Sequence, residues 1–266
     1  MFTVEGIEGL VREIRRENGF PESPFRIDGV RYDEGGDKLF IIAHDRTDKS
    51  VIIGNSFVIG KLRERLGVRQ VTVYSNLDLE MKGRKLEEAE RLVEGTELEF
   101  LLPVIEAEKR FPPRRWPDVT GEVKTLVFMS FNARALLGFA ERLKLPHEAV
   151  GIRYAFPRLR YEPVEGQPGE LFFPDEGKLV RMADERGAGL VLADFPFGLR
   201  FEGKTALLNP FRLLHIGFFE LKYLFGFEAP TVYDKKALIR FVTELTYEGL
   251  MESTDGANII WRMWRR

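Results

Sequence analysis

Between Val123 and Leu143 the chain reads VKTLVFMSFNARALLGFAERL: an apolar run, a small-polar turn from Ser130 to Ala133, and an amphipathic helix. A buried strand running into a helix through so short a turn is the building unit of α/β folds. The helix N-terminus at such a turn has unpaired N–H groups and the positive end of the dipole, the combination with which these folds bind phosphate. Here the turn carries Phe131, Asn132 and Arg134, where a phosphate cradle normally carries glycines that let the backbone approach the ligand.

The residues after this turn extend the same pattern. VKTLVFM, AVGIRYAF and AGLVLADF are short apolar runs of the kind buried in a parallel sheet, separated by helical patterns at Ala133–Leu143 and about Asp175–Arg186. Between the second strand and the second helix lies PRLRYEPVEGQPGELFFPD, a long loop that in a doubly wound sheet overhangs the C-terminal strand edge, where ligands sit. Two more helical regions come next, LLNPFRLLHIGFFELKYLFGF and YDKKALIRFVTELTYEGLMES, before the tail NIIWRMWRR.

The first part of the chain has a different texture. Val4, Ile7, Leu10, Val11 and Ile14 recur at helical spacing, and Gly19 with Pro21 ends the helix. RIDGVRY, KLFIIAHD and KSVIIG read as strands, the last two joined as a hairpin through the polar turn DRTDK. Asn55 or Ser56 caps a helix that Gly67 stops, RQVTVYS is another strand, and Met81–Glu94 is a solvated helix. FPPRRWPD, with three prolines, reads as a linker. The expected organisation is therefore an α+β domain over residues 1–110, a linker over 111–120 and an α/β domain over 121–266.

Composition narrows the chemistry. With no cysteine there are no disulfides, thiolate nucleophiles, cysteine-bound metals or clusters. Forty basic and 42 acidic side chains leave a net charge of −2, so a binding face for nucleic acid has to be local. No apolar stretch suggests a signal peptide or a membrane span, and a cytoplasmic protein is expected. The high charge content and only two glutamines, Gln70 and Gln167, resemble hyperthermophile proteins.

From Val123 to Phe227 the order of elements, ending in the segment Asn209–Leu214 (NPFRLL), resembles the PP-loop ATP pyrophosphatases, or adenine nucleotide alpha hydrolase-like family. That family carries an SGGxDS loop after its first strand. Ser130 matches the start of the loop, Phe131 and Asn132 stand at the two glycine positions, and Arg134 or Ala135 stands where the Asp-Ser pair belongs. The resemblance implies a Rossmann-like parallel sheet with helices on both faces. It also implies an adenine-nucleotide site at Ser130, Phe131, Asn132, Ala133, Arg134 and Asn209, with ATP and Mg2+ as cofactors. Asp194, at the end of the third apolar run, stands where α/β enzymes put a magnesium-binding or catalytic carboxylate, or equally caps a turn.

KSVIIGNSFVIGKLRERLGVRQVTVYS resembles the RNA-binding KH domain, with Gly54, Asn55 and Ser56 in its Gly-x-x-Gly loop and Phe57 at the second glycine. That resemblance implies RNA, of the tRNA class, held at Gly54, Asn55 and Ser56 with Lys61 and Arg63 flanking. The altered loops point to a degenerate member that binds nucleotide or RNA without the full reaction. An active ATP-dependent adenylating enzyme of the RNA-thiolation type stands as one alternative. The other is a non-catalytic subunit pairing with itself or another protein through its phenylalanine-rich surface.

Other residues are candidates on chemistry alone. Arg114, Arg115 and Trp116 form a basic and aromatic cluster suited to phosphates and base stacking, or a linker whose tryptophan docks on a domain. Trp261 and Trp264 are expected to pack, leaving Arg262, Arg265 and Arg266 exposed. His44, His147 and His215 lack metal-like spacing, and only His215, just after the NPFRLL segment, is placed for acid/base work.

Overall fold

The computed structural model describes residues 2–113 and 115–264 and divides the chain into two compact units, one up to Arg84 and one from Lys85 onward. The division falls about thirty residues before the proline-rich segment. Leu86, Ala89, Val93, Leu98, Leu101, Val104, Ile105 and Trp116, which all precede residue 121, are buried in the core of the second unit.

In the first unit, α1 (Val4–Glu17) starts at Thr3, whose hydroxyl accepts from the Gly6 N–H, and it buries Ile7, Val11 and Ile14. Each of those side chains stabilises by roughly 1.5–3 kcal/mol on burial. Strands β1 (Ile27–Asp33) and β2 (Lys38–Ala43) pair antiparallel. Helices α2 (Arg46–Ile53) and α3 (Phe57–Leu66) come next, then β3 (Gln70–Ser75), which pairs parallel to β2 in the sheet order β1-β2-β3. α4 (Asn76–Val93) contains the division between the units.

The KSVIIG run is helical rather than the expected strand, so the hairpin is β1–β2, not one closed through DRTDK. The Asp45 carboxylate caps α2 by accepting from the Asp48 N–H. Lys49, Ile52 and Ile53 then fall on one buried face, where Lys49 donates to Asp78 at 2.7 Å. Cap and burial override the strand preference of three consecutive β-branched residues.

The second unit begins with the end of α4, a tight 3-10 turn at Glu99–Leu101 and α5 (Leu102–Lys109). Then come β4 (Thr125–Met129), α6 (Ala133–Arg142), β5 (His147–Ile152), the short β6 (Glu162–Val164), a second 3-10 turn (Pro168–Leu171), α7 (Glu176–Arg186) and β7 (Leu190–Leu192). A hairpin, β8 (Leu199–Glu202) and β9 (Thr205–Leu208), leads to α8 (Pro210–Leu213), α9 (Phe218–Phe225), α10 (Lys235–Tyr247) and α11 (Ser253–Trp264). The described part of the tail, up to Trp264, is thus helical, where no helix was expected.

The six-stranded sheet has the order β6-β5-β4-β7-β9-β8, parallel except at the edge strand β8. Helices flank it in the manner of a Rossmann-like domain. β4 connects outward through α6 to β5, whereas β6 returns through α7 to β7, so right-handed crossovers place these two helices on opposite faces. The direction of winding reverses between β4 and β7. That makes the C-terminal ends of these two strands the switch point at which such sheets bind ligands. No described helix is long and apolar enough to cross a membrane.

Candidate functional site

At the switch point β4 delivers Ser130, Phe131 and Asn132, and β7 delivers Asp194. The Asp194 carboxylate accepts from the Ser130 hydroxyl (2.9 Å), the Asn132 backbone N–H (2.7 Å) and the Asn132 side-chain amide (2.8 Å). Its own N–H donates back to the Ser130 hydroxyl at 3.0 Å. An internal carboxylate therefore occupies the start of α6, where a ligand phosphate would meet the helix dipole. Burial pushes the Asp194 carboxyl above the ordinary carboxylate range, and the donors from Asn132 and Ser130 pull in the other direction.

Phe131 fills the rest of the crevice. It is 1% exposed, and its ring lies 4.8 Å from Phe241, 5.3 Å from Phe172, 5.7 Å from Phe227 and 5.9 Å from Phe218. Those partners come from the long loop, from α9 and the residues just after it, and from α10. The chain's own C-terminal half thus covers the strand edge. The loop after β6 is tied to the turn as well, since the Phe131 N–H donates to the Leu171 carbonyl at 2.8 Å. What remains is a cavity of about 10 Å³ lined in part by Asn132, Asp194, Asn209, Arg212 and Phe241, room for a single water at most.

Asn209 caps α8, accepting from the N–H groups of Phe211 and Arg212, and donates to the Phe195 carbonyl at 2.9 Å. Arg212 is buried, with its guanidinium on Glu244, Glu248 and the Pro196 carbonyl. Ser130, Phe131, Asn132, Ala133 and Asn209 are all buried, with Ser130 and Asn132 on Asp194 and Asn209 on its own helix and the Phe195 carbonyl, while Arg134 is exposed. These residues do not fit a magnesium ion. Both Asp194 oxygens already accept hydrogen bonds, and Mg2+ keeps several waters that this space does not hold. Among the described residues no three His, Asp or Glu side chains gather as a metal site. His215 does not line the cavity.

The first unit presents a different surface. Between α2 and α3, Gly54, Asn55 and Ser56 all have left-handed backbone, with φ of 52°, 55° and 65°. Gly54 is required there: a Cβ would lie 2.1 Å from a Val58 methyl. Asn55, Ser56 and Phe57 are exposed, while Val58 and Leu62 anchor α3 below them. Lys61 pairs with Glu64, and Arg65 with Glu13 and Glu17, whereas Arg63 makes no ion pair among the described residues. Sequence spacing alone did not reveal these pairings.

The cluster around Trp116 does not form as an exposed surface. Trp116 is 8% exposed, donates from its indole to Glu108 at 2.7 Å and packs edge-on against Phe139, so its ring is not available to a base. Arg115 is exposed, and Arg114, Arg265, Arg266 and the Trp264 side chain lie outside the described residues. Trp261 is exposed. On and beside α9, Phe219, Tyr223, Leu224 and Phe227 also face solvent.

No protein-family model, curated protein or solved structure matches this chain.

Proposed function

We propose that this is a single-stranded RNA-binding protein whose first unit clamps the RNA backbone at the loop Gly54–Phe57. In this reading the second unit is a nucleotide-type fold that keeps its crevice for its own carboxylate and phenylalanines, and it does not turn over ATP. The observation that carries the reading is the run of three left-handed residues at the start of α3. Holding a non-glycine residue in that conformation costs of order 1–3 kcal/mol, and Asn55 and Ser56 do so in an exposed loop.

The arrangement has a physical use. It places the positive end of the α3 dipole at this exposed loop, where it attracts phosphate, while the Phe57 and Val58 N–H groups turn back on the Gly54 carbonyl. The order α1-β1-β2-α2-α3-β3, on a sheet antiparallel and then parallel, supports the resemblance to the KH class. The loop of that class clamps backbone nucleotides. Phe57, 42% exposed at the second glycine position, adds a ring for a base. Arg63 adds a cation that has no ion-pair partner among the described residues.

The test is fluorescence anisotropy with a labelled single-stranded RNA. If three phosphates are neutralised, affinity falls roughly 20-fold between 50 and 200 mM salt. A double variant, Asn55→Asp with Ser56→Asp, puts carboxylates at a helix start, which the fold tolerates, but repels phosphate. At least a tenfold loss of affinity is expected, with the circular dichroism melt unchanged. Unaltered binding by this variant would sink the proposal.

A further inference from the structure

A second feature, on the other unit and independent of the loop at Gly54, points to a ligand of its own. The segment after β5 reads Arg153-Tyr154-Ala155-Phe156-Pro157-Arg158-Leu159-Arg160. Tyr154 is 73% exposed and has a left-handed backbone, φ 63°. A bulky aromatic residue in that conformation is a genuine outlier, and a glycine or asparagine would hold the turn at lower cost.

The backbone around it is fixed rather than loose. Ala155 and Phe156, immediately after the tyrosine, are fully buried. The Thr231 hydroxyl donates to the Tyr154 carbonyl at 2.6 Å, and the Thr231 N–H donates to the Ala155 carbonyl at 2.8 Å. From the other side, the Tyr161 hydroxyl donates to the Ile152 carbonyl at 3.0 Å and accepts from the Phe156 N–H at 3.2 Å. A strained, exposed ring is thus held on a rigid mount at the C-terminal edge of the sheet.

The charge along this segment is one-sided. Arg153, Arg158 and Arg160 are exposed, and none makes an ion pair among the described residues. Elsewhere on this unit Arg186, Arg200 and Arg240 are each matched to a carboxylate. No acidic residue occurs from Arg153 to Tyr161, and the next, Glu162, is engaged by Arg186. The Arg153 guanidinium stands 6.0 Å from the centre of the Tyr154 ring, within reach of its π face.

An aromatic platform beside unpaired arginines is what unstacked bases on a phosphodiester chain require: a face to stack on and cations spaced along the backbone. We infer that the Arg153–Arg160 segment is a binding site for single-stranded nucleic acid, with one base on Tyr154 and neighbouring phosphates on Arg153, Arg158 and Arg160. Arginine suits this role because its flat guanidinium both stacks and donates in pairs to phosphate oxygens.

The experiment uses the full chain and short fluorescent single-stranded oligonucleotides, ribo- and deoxyribo-, substituted with 5-iodouracil for photochemical cross-linking. Tyr154→Gly relieves the left-handed strain, so its melting temperature should equal or exceed the parent's. Measured in the Asn55→Asp, Ser56→Asp background, where the first unit's loop does not contribute, its affinity should fall roughly 5- to 150-fold relative to that background, the range measured for losing one base–aromatic stack. Tyr154→Phe should retain binding. Replacing Arg153, Arg158 and Arg160 together by alanine should weaken binding and flatten its salt dependence. The cross-link should map to the peptide containing Tyr154, and it should persist in the Asn55→Asp, Ser56→Asp variant, which separates this site from the first unit's loop. Binding by Tyr154→Gly within twofold of the Asn55→Asp, Ser56→Asp background, or cross-links confined to residues before 85, would overturn the assignment.

Discussion

Replacing Phe131 by alanine is the most direct probe of how the crevice is filled. The ring is 1% exposed and packs against four other phenylalanines at centroid separations of 4.8 to 5.9 Å. Buried Phe→Ala changes cost about 3–5 kcal/mol, from lost transfer energy and the cavity left behind. With four ring partners drawn from the long loop and from the α9 and α10 region, little collapse is expected, which favours the upper half of that range. At a urea slope of about 2 kcal/mol per molar, a loss of 4 kcal/mol lowers the midpoint by roughly 2 M. All three tryptophans, Trp116, Trp261 and Trp264, belong to the second unit, so their fluorescence follows this transition without contribution from the first. Phe131→Leu, which keeps most of the apolar volume, should lose much less. Pairing Phe131→Ala with Phe241→Ala should show coupling of about 0.5–1.5 kcal/mol beyond additivity, as expected for an edge-to-face pair. A loss below about 1 kcal/mol for Phe131→Ala would refute the packing argument. So would a gain of measurable ATP affinity in that variant, because Asp194 still sits in the anion position.

Two further perturbations test the buried charges. Asp194→Ala strands the donors of Ser130 and Asn132 in the core, at roughly 1–3 kcal/mol each. A loss of at least about 3 kcal/mol is expected in the same tryptophan-monitored urea titration, and a neutral outcome would show that water replaces the carboxylate. In the first unit, burial raises the Asp78 carboxyl but Lys49, with Ser75, more than offsets it, so the group lies below its ordinary range. Its folded pKa is depressed, so its stabilisation is present above the unfolded value near pH 4 and is lost as pH falls through the folded value. Asp78→Asn should therefore cost roughly 1.5–3 kcal/mol at pH 7 by weakening the charge-assisted hydrogen bonds from Lys49 and Arg46. By circular dichroism the gap to the parent should narrow below pH 4, and a gap that is constant down to pH 2 would contradict this.

Where periodicity and caps act locally, the sequence reads well. Val4–Glu17 emerges as a helix because five apolar residues share one stripe, and Phe57–Leu66 because Gly67 ends it in left-handed backbone. β4 and β7 lie inside two of the apolar runs that suggest a parallel sheet, and β5 overlaps the third, starting two residues before it. The failures are tertiary. The KSVII run looks like a strand until Lys49 meets Asp78, twenty-nine positions away. In sequence Trp116 is open between a ring for base stacking and one docked on a domain, and only the fold decides for docking, with Glu108 for its indole and Phe139 for its ring. Asp194 is legible as a strand-end carboxylate, but its partners Ser130 and Asn132 are set by the pairing of β4 with β7. The strain at Tyr154 leaves no trace in residue type, because nothing in the sequence RYAF specifies a positive φ.

The carboxylate at the head of α6 has one more consequence, in terms of mass action. Toward any anion drawn to the head of α6, Asp194 would act as a tethered competitor that dialysis cannot remove. Even a flexible tether presents a group at about millimolar effective concentration, and this one is rigid, held by a strand on one side and three donors on the other. A dissolved phosphate would have to displace that carboxylate first, so its apparent affinity is reduced by the fraction of molecules in which the slot is open. Removing the side chain of Asp194 would lift that competition but leave Phe131 and its ring partners over the strand edge, so the opening would be no larger than the missing carboxylate.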